Sequence, residues 1–225
     1  MPRIPYVIPE KVSSRDVKQT FAQLPTLLNL FKMMAHAETT FRPMVHLGSA
    51  ILARQKLSAK LRELAILRVA NLSKSRYEWV QHVSLAMLMG VTRAQVDAIE
   101  KGEIHAPCFD ETERVVLDFT TEVVGDVRCS DDTFARIRQQ LSSQEIVELL
   151  LAVGYYMMIA RLCETTDVEV EPPSEQVPPR APPDQAGPTS PWTRSRLTPP
   201  SGKMLSRTCD TGPTRLSAVE NVCRW

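Results

Sequence analysis

Apolar residues in the first 165 positions recur at three- and four-residue spacing and very little of the chain alternates, a pattern of amphipathic helices and not of strands. Ser14 is placed to cap a helix running toward Leu24, where Pro25 breaks it. Leu27, Leu28, Leu30, Phe31 and Met34 continue an apolar stripe, and Pro43 is placed to open a helix carrying Met44, Leu47, Ile51 and Leu52. The stretch from Ser58 to Leu72 lines up Leu61, Leu64, Ala65, Val69 and Leu72. After a loop at residues 73–75, a helix is expected from about Arg76 to Met89, ended by Gly90. Thr92 with Gln95, Asp110 with Glu113, and Ser142 with Glu145 each have the spacing of a capping box before an apolar run. The longest uncharged apolar run, Leu149–Ala160, has 12 residues; that is short for a bilayer span and reads as a buried helix. Seven or eight helices with short connections predict an all-α domain.

Composition divides the chain near residue 171. Residues 172–225 hold 11 of the 17 prolines and seven Lys/Arg against four Asp/Glu, with few aliphatics. Such a segment buries too little apolar surface to offset its chain entropy, so a helical domain over 1–171 and a proline-rich disordered tail over 172–225 are expected. A docking segment for a proline-recognising module is the alternative for the tail. The formal net charge of +1 over 225 residues provides no basic face for nucleic acid. The opening MPRIPYVIPE has no apolar stretch behind a basic start, and no membrane association is expected. Cys108, Cys129, Cys163, Cys209 and Cys223 form no Cys-x-x-Cys pair, which fits free thiols in a reducing cytoplasm.

Two neighbouring helical segments put ionisable groups among apolar ones. Glu63 lies between apolar neighbours in LSAKLRELAILRVANL, and Glu78 and His82 lie four apart, on one helical face, in SRYEWVQHVSLAMLMG. Tyr77 and Trp79 flank Glu78. A carboxylate beside a histidine is the minimum equipment for proton transfer near neutral pH. The same spacing also occurs in ordinary surface pairs, so spacing leaves both readings open. His36, His46 and His105 stand alone, without His-x-His or His-x-x-x-His spacing, and no metal site is expected. Tyr155 and Tyr156, near the centre of the last helix, read as packing residues, with a place at the pocket or at an interface as the alternative.

RELAILRVANL, followed by YEWVQHVSLAMLMGVTRAQVDAI, resembles the carboxymuconolactone decarboxylase-like proteins, the superfamily that includes alkylhydroperoxidase D. FDETERVVLDFTTEV and FARIRQQLSSQEIVELLLAVGYYMMIARL are similar to the second half of that domain, so the resemblance covers roughly residues 20–165. It implies an alkylhydroperoxidase D-like helical fold and a homo-oligomer, trimer or hexamer, with sites close to subunit contacts. The peroxidase branch carries Glu, then Cys-x-x-Cys-x-x-x-His. Here Glu63 and His82 match the glutamate and histidine, while Ser75 and Glu78 stand where the cysteines would be. A hydroxyl and a carboxylate cannot run a thiol redox cycle.

What remains resembles the decarboxylase branch, which implies a lyase of aromatic catabolism without metal or organic cofactor. Under that resemblance His82 delivers a proton to a dienolate, and Glu63 orients His82 or relays its proton. Glu78, Tyr77 and Trp79 lie against a small carboxylated lactone or related carbonyl compound, and Arg62 or Arg68 pairs with its carboxylate. A non-catalytic helical oligomer used for binding or assembly, and a vestigial peroxidase-like protein, are the alternatives.

Overall fold

The computed structural model describes residues 1–172, and the tail expected from 172 onward lies, beyond Pro172 itself, outside the described residues. After a 3-10 turn at Pro9–Lys11 come α1 (Arg15–Gln23), α2 (Asn29–Met34), α3 (Glu38–Ala53), α4 (Ala59–Leu72) and α5 (Arg76–Leu88). Then follow α6 (Arg93–Lys101), α7 (Glu111–Asp126), α8 (Asp131–Gln140) and α9 (Ser143–Thr166). The described residues are thus all-α, with nine helices where seven or eight were expected.

The helix starts follow local chemistry. Ser14, Thr92, Asp110, Ser130 and Ser142 each accept a hydrogen bond from a backbone N–H of the first turn, and the three capping boxes close in both directions. The additional helix is α8, whose sequence DDTFARIRQQ is mostly polar and buries only Thr133 and Ile137. Pro43 does not open α3. That helix starts at Glu38, with Ala37 O accepting from the N–H groups of Thr40 and Phe41. The hydrogen bond that Pro43 cannot donate falls on the solvent side, where Thr39 and Pro43 are both exposed. Gly90, at φ +95°, takes the left-handed conformation that follows the end of α5.

α4 is the central element and packs against α5, α6, α7 and α9. Arg62 to Ala70 are buried without a break, as expected of a helix enclosed on every side. Ala65, Ile66 and Val69 meet Val116, Phe119 and Leu149 in one cluster; Leu64 and Leu67 meet Ala86, Ile99 and Leu117 in a second. A third cluster, built from Val17, Phe41, Val45, Tyr77, Ile159 and Cys163, seats the N-terminal helices on α5 and α9. Each fully buried Leu, Ile or Phe contributes about 2 kcal/mol relative to an exposed one. The apolar run noted in the sequence is part of a 24-residue helix, α9, long and apolar enough to cross a membrane by length and composition. Half of its most apolar window is buried within the domain.

Candidate active site

Glu63 and His82, brought together by the packing of α4 on α5, form the centre of the site. The Glu63 carboxylate is 0 % exposed, and its Oε2 lies 2.8 Å from His82 Nδ1. Its Oε1 accepts from Arg62 Nε and Nη2, both at 3.4 Å. The contact at Nδ1 assigns that nitrogen the proton it shares with Glu63, which leaves Nε2 as the reactive position. His82 retains 8 % exposure. Tyr156, on α9, meets the imidazole edge-on at 4.7 Å between ring centroids. Tyr155 packs at right angles to Tyr156 at 5.4 Å and donates from its hydroxyl to Met44 O at 3.1 Å. Burial raises the pKa of both phenols, which therefore stay neutral.

Glu78, one helical turn before His82, is 2 % exposed, and neither of its carboxyl oxygens has a hydrogen-bond partner. Ser75 Oγ, buried beside it at the start of α5, has none either. Burial raises the Glu78 pKa to about 8; Ser75 pulls it down in part, and the charge of Glu164 pushes it further up. At neutral pH the Glu78 side chain is a neutral carboxylic acid. Cys163, on α9, is buried near it. Desolvation first, then the charges of Glu78, Glu164 and Glu171, raise its pKa, so it remains a thiol.

The other expected residues are placed differently. Arg62 is buried and directed at Glu63. Arg68 donates to Thr121 Oγ1 at 3.0 Å and to Asn71 Oδ1 at 2.9 Å, tying α4 to α7 and not reaching the Glu63–His82 pair. Tyr77 is buried; its hydroxyl donates to Glu171 Oε1 at 2.8 Å and accepts from the Leu30 N–H at 3.4 Å. Trp79 packs against the cluster that contains Leu64 and Leu67. Tyr156 reads as a packing residue in the sequence yet touches the imidazole. The alternative of a place at the pocket is thus the one Tyr156 takes, although it lies on α9, 74 positions beyond His82. Among the described residues no group of three or more His, Cys, Asp or Glu is arranged to hold a metal ion.

Residues 38–122 match the model of the Carboxymuconolactone decarboxylase family, a span from the first residue of α3 well into α7. No curated protein matches the chain significantly. Among solved structures, an uncharacterized peroxidase-related protein from Ralstonia eutropha JMP134, with an alkylhydroperoxidase AhpD core, is similar. It shares 16% identity over 76% of this chain and 92% of its own, at a TM-score of 0.66. An uncharacterized peroxidase-related protein from Silicibacter sp. TM1040 shares 16% identity over 78% and 96%, at a TM-score of 0.64. The debrominase Bmp8, solved in complex with 2,3,4-tribromopyrrole, shares 17% identity over 75% and 91%, at a TM-score of 0.61. These likenesses establish an AhpD-like helical fold, and the segment that matches the Carboxymuconolactone decarboxylase family model lies within it.

Proposed function

We propose that this protein is a cofactor-independent acid/base enzyme, a lyase acting on a small carboxylated lactone or a related carbonyl compound. The observation that carries this reading is the buried hydrogen bond between Glu63 and His82, with Nε2 left over. In decarboxylation of a conjugated lactone, the bond to the carboxylate carbon breaks, and its electron pair moves into the lactone carbonyl as carbon dioxide leaves. The dienolate then takes a proton at carbon from Nε2 of doubly protonated His82, and solvent restores that proton. Glu63 holds Nδ1–H and offsets the imidazolium charge while it exists. Arg62 is available to the substrate's carboxylate only by sharing its guanidinium with Glu63.

Ser75 and Glu78, at the positions where the peroxidase branch carries thiols, support a reaction without thiol redox chemistry. We place the enzyme in the cytoplasm as a homo-oligomer, a trimer or hexamer. Val147, Leu151 and Met158, exposed along α9, support assembly. The test is ultraviolet-monitored turnover of 4-carboxymuconolactone by the purified protein beside His82→Gln. Turnover that disappears in the variant, with helicity and oligomer size unchanged, is the expected result. Equal turnover by the variant would remove His82 from the mechanism.

A further inference from the structure

At the N-cap and first turn of α5, Ser75 Oγ, Glu78 Oε1 and Glu78 Oε2 are buried without a well-formed hydrogen bond to the rest of the fold, and Ser75 is itself the neighbour that acts on the Glu78 carboxyl as a donor. Leaving such groups unsatisfied is costly to a domain, so their retention side by side calls for a partner that arrives from outside. The two residues are three apart on the helix, and His82 lies one turn further along the same face. The charged and titratable groups around them are Glu164, Cys163, Tyr155 and Tyr156 from α9, with Glu63 and Arg62 reaching Tyr156 from α4. None of these offers Glu78 a counter-ion: the guanidinium of Arg62 is directed at Glu63, and Tyr155 donates its hydroxyl to Met44 O.

We infer that Ser75 and Glu78 form a two-donor seat for an anionic substrate oxygen, the hydroxyl of each donating a hydrogen bond to it while His82 handles the proton. This rests on the acid/base reading above and deepens it, because it specifies a substrate whose reacting carbonyl becomes an enolate. A carboxylic acid kept neutral by burial donates to an oxyanion without bringing a competing negative charge, whereas an ionised one would repel it. The seat also gives the residues at the thiol positions a role that serine and glutamate can fill and cysteine cannot fill as well: paired O–H donors of short reach. Substrate carboxylate offers the same anionic oxygen, so two probes separate the sources.

The test is binding of 4-nitrophenolate, an enolate mimic, and of 4-nitrobenzoate to the full chain, followed by absorbance between pH 6.5 and 9.5. Glu78→Gln, Glu78→Ala and Ser75→Ala variants are measured alongside. The seat requires the acid form of Glu78, so affinity for the anionic probe holds below pH 8 and falls about tenfold per unit above it. Glu78→Gln keeps a donor and should bind without that pH dependence, while Glu78→Ala should lose about 10- to 100-fold. Preference for the phenolate assigns the seat to the enolate oxygen, and preference for the benzoate assigns it to a substrate carboxylate. Absence of binding by either probe, or binding indifferent to pH and to Glu78, would overturn the inference. Such a failure beside His82-dependent lactone turnover leaves the acid/base reading standing; Glu78-dependent binding without turnover does the reverse.

Discussion

Gly48 on α3 and Tyr155 on α9 meet so closely that a Cβ on Gly48 would stand 2.5 Å from Tyr155 Oη and 2.9 Å from its ring carbon Cζ. The phenol cannot swing aside freely, because Tyr156 packs on it and Met44 O accepts its proton. Gly48→Ala should destabilise the domain by about 1–3 kcal/mol, as overpacking does. In a Tyr155→Phe background the same change should cost less, since its nearest clash is gone. A urea-denaturation double-mutant cycle measures the difference, and strict additivity would contradict the contact.

Glu171 anchors the end of the described chain. Its carboxylate accepts from Tyr77 Oη, the Asn29 N–H and Gln81 Nε2, joining the start of α2 to α5. Glu171→Ala strands three donors and should cost about 2 kcal/mol. For a domain of this size that lowers Tm by roughly 6 °C. Glu171→Gln retains one acceptor oxygen and should lose less.

Glu78 makes stability depend on pH. Its folded pKa, about 8, exceeds its ordinary value of 4.5, so between these limits the folded state binds more protons than the unfolded one. The stability contributed by the neutral carboxyl is complete below pH 4.5 and is lost as pH rises through about 8. Thermal melts should show Tm falling across that window, and Glu78→Gln should flatten the fall. An unchanged slope would mean that Glu78 ionises freely.

Val127 ends α7 at φ +66°, a conformation costly for a β-branched residue, and its side chain is 87 % exposed. Val127→Gly should therefore stabilise the domain by about 0.5–1 kcal/mol, despite glycine's greater freedom in the unfolded chain. Denaturant midpoints would record it as a shift to higher urea.

The exposed side of α9 repeats apolar residues at Val147, Leu151 and Met158, spacing that puts them on one stripe. If the proposed assembly uses this face, Val147→Glu with Leu151→Glu should yield a monomer in sedimentation velocity. An intact oligomer would transfer the contact to another face.

Legibility in the sequence followed the range of the interaction. The helix starts at Ser14, Thr92, Asp110 and Ser142 are decided within four residues, and the side chains there make the expected bonds. α3 starts five residues before Pro43 because proline's preference for a first turn is weaker than the packing that buries Phe41 and Val45. α8 is not legible along the chain because Phe134 and Ile137 are too few to show a period. Glu63 and His82 stand out along the chain as ionisable groups among apolar ones, the resemblance links them, and in the structure they are in contact. Arg68 and Tyr77 took other partners, Thr121 and Glu171, 53 and 94 positions away, and no pattern along the chain could pair them.

The enclosure of α4 limits where a proton can travel. Glu63 meets no solvent; one carboxylate oxygen is held by His82 and the other faces a guanidinium, a group that does not give up its protons. Among the described residues, the imidazole is thus the door between this carboxylate and the outside. A compartment with such a door keeps count: each proton Glu63 gains or loses must be matched, one for one, by an event at His82.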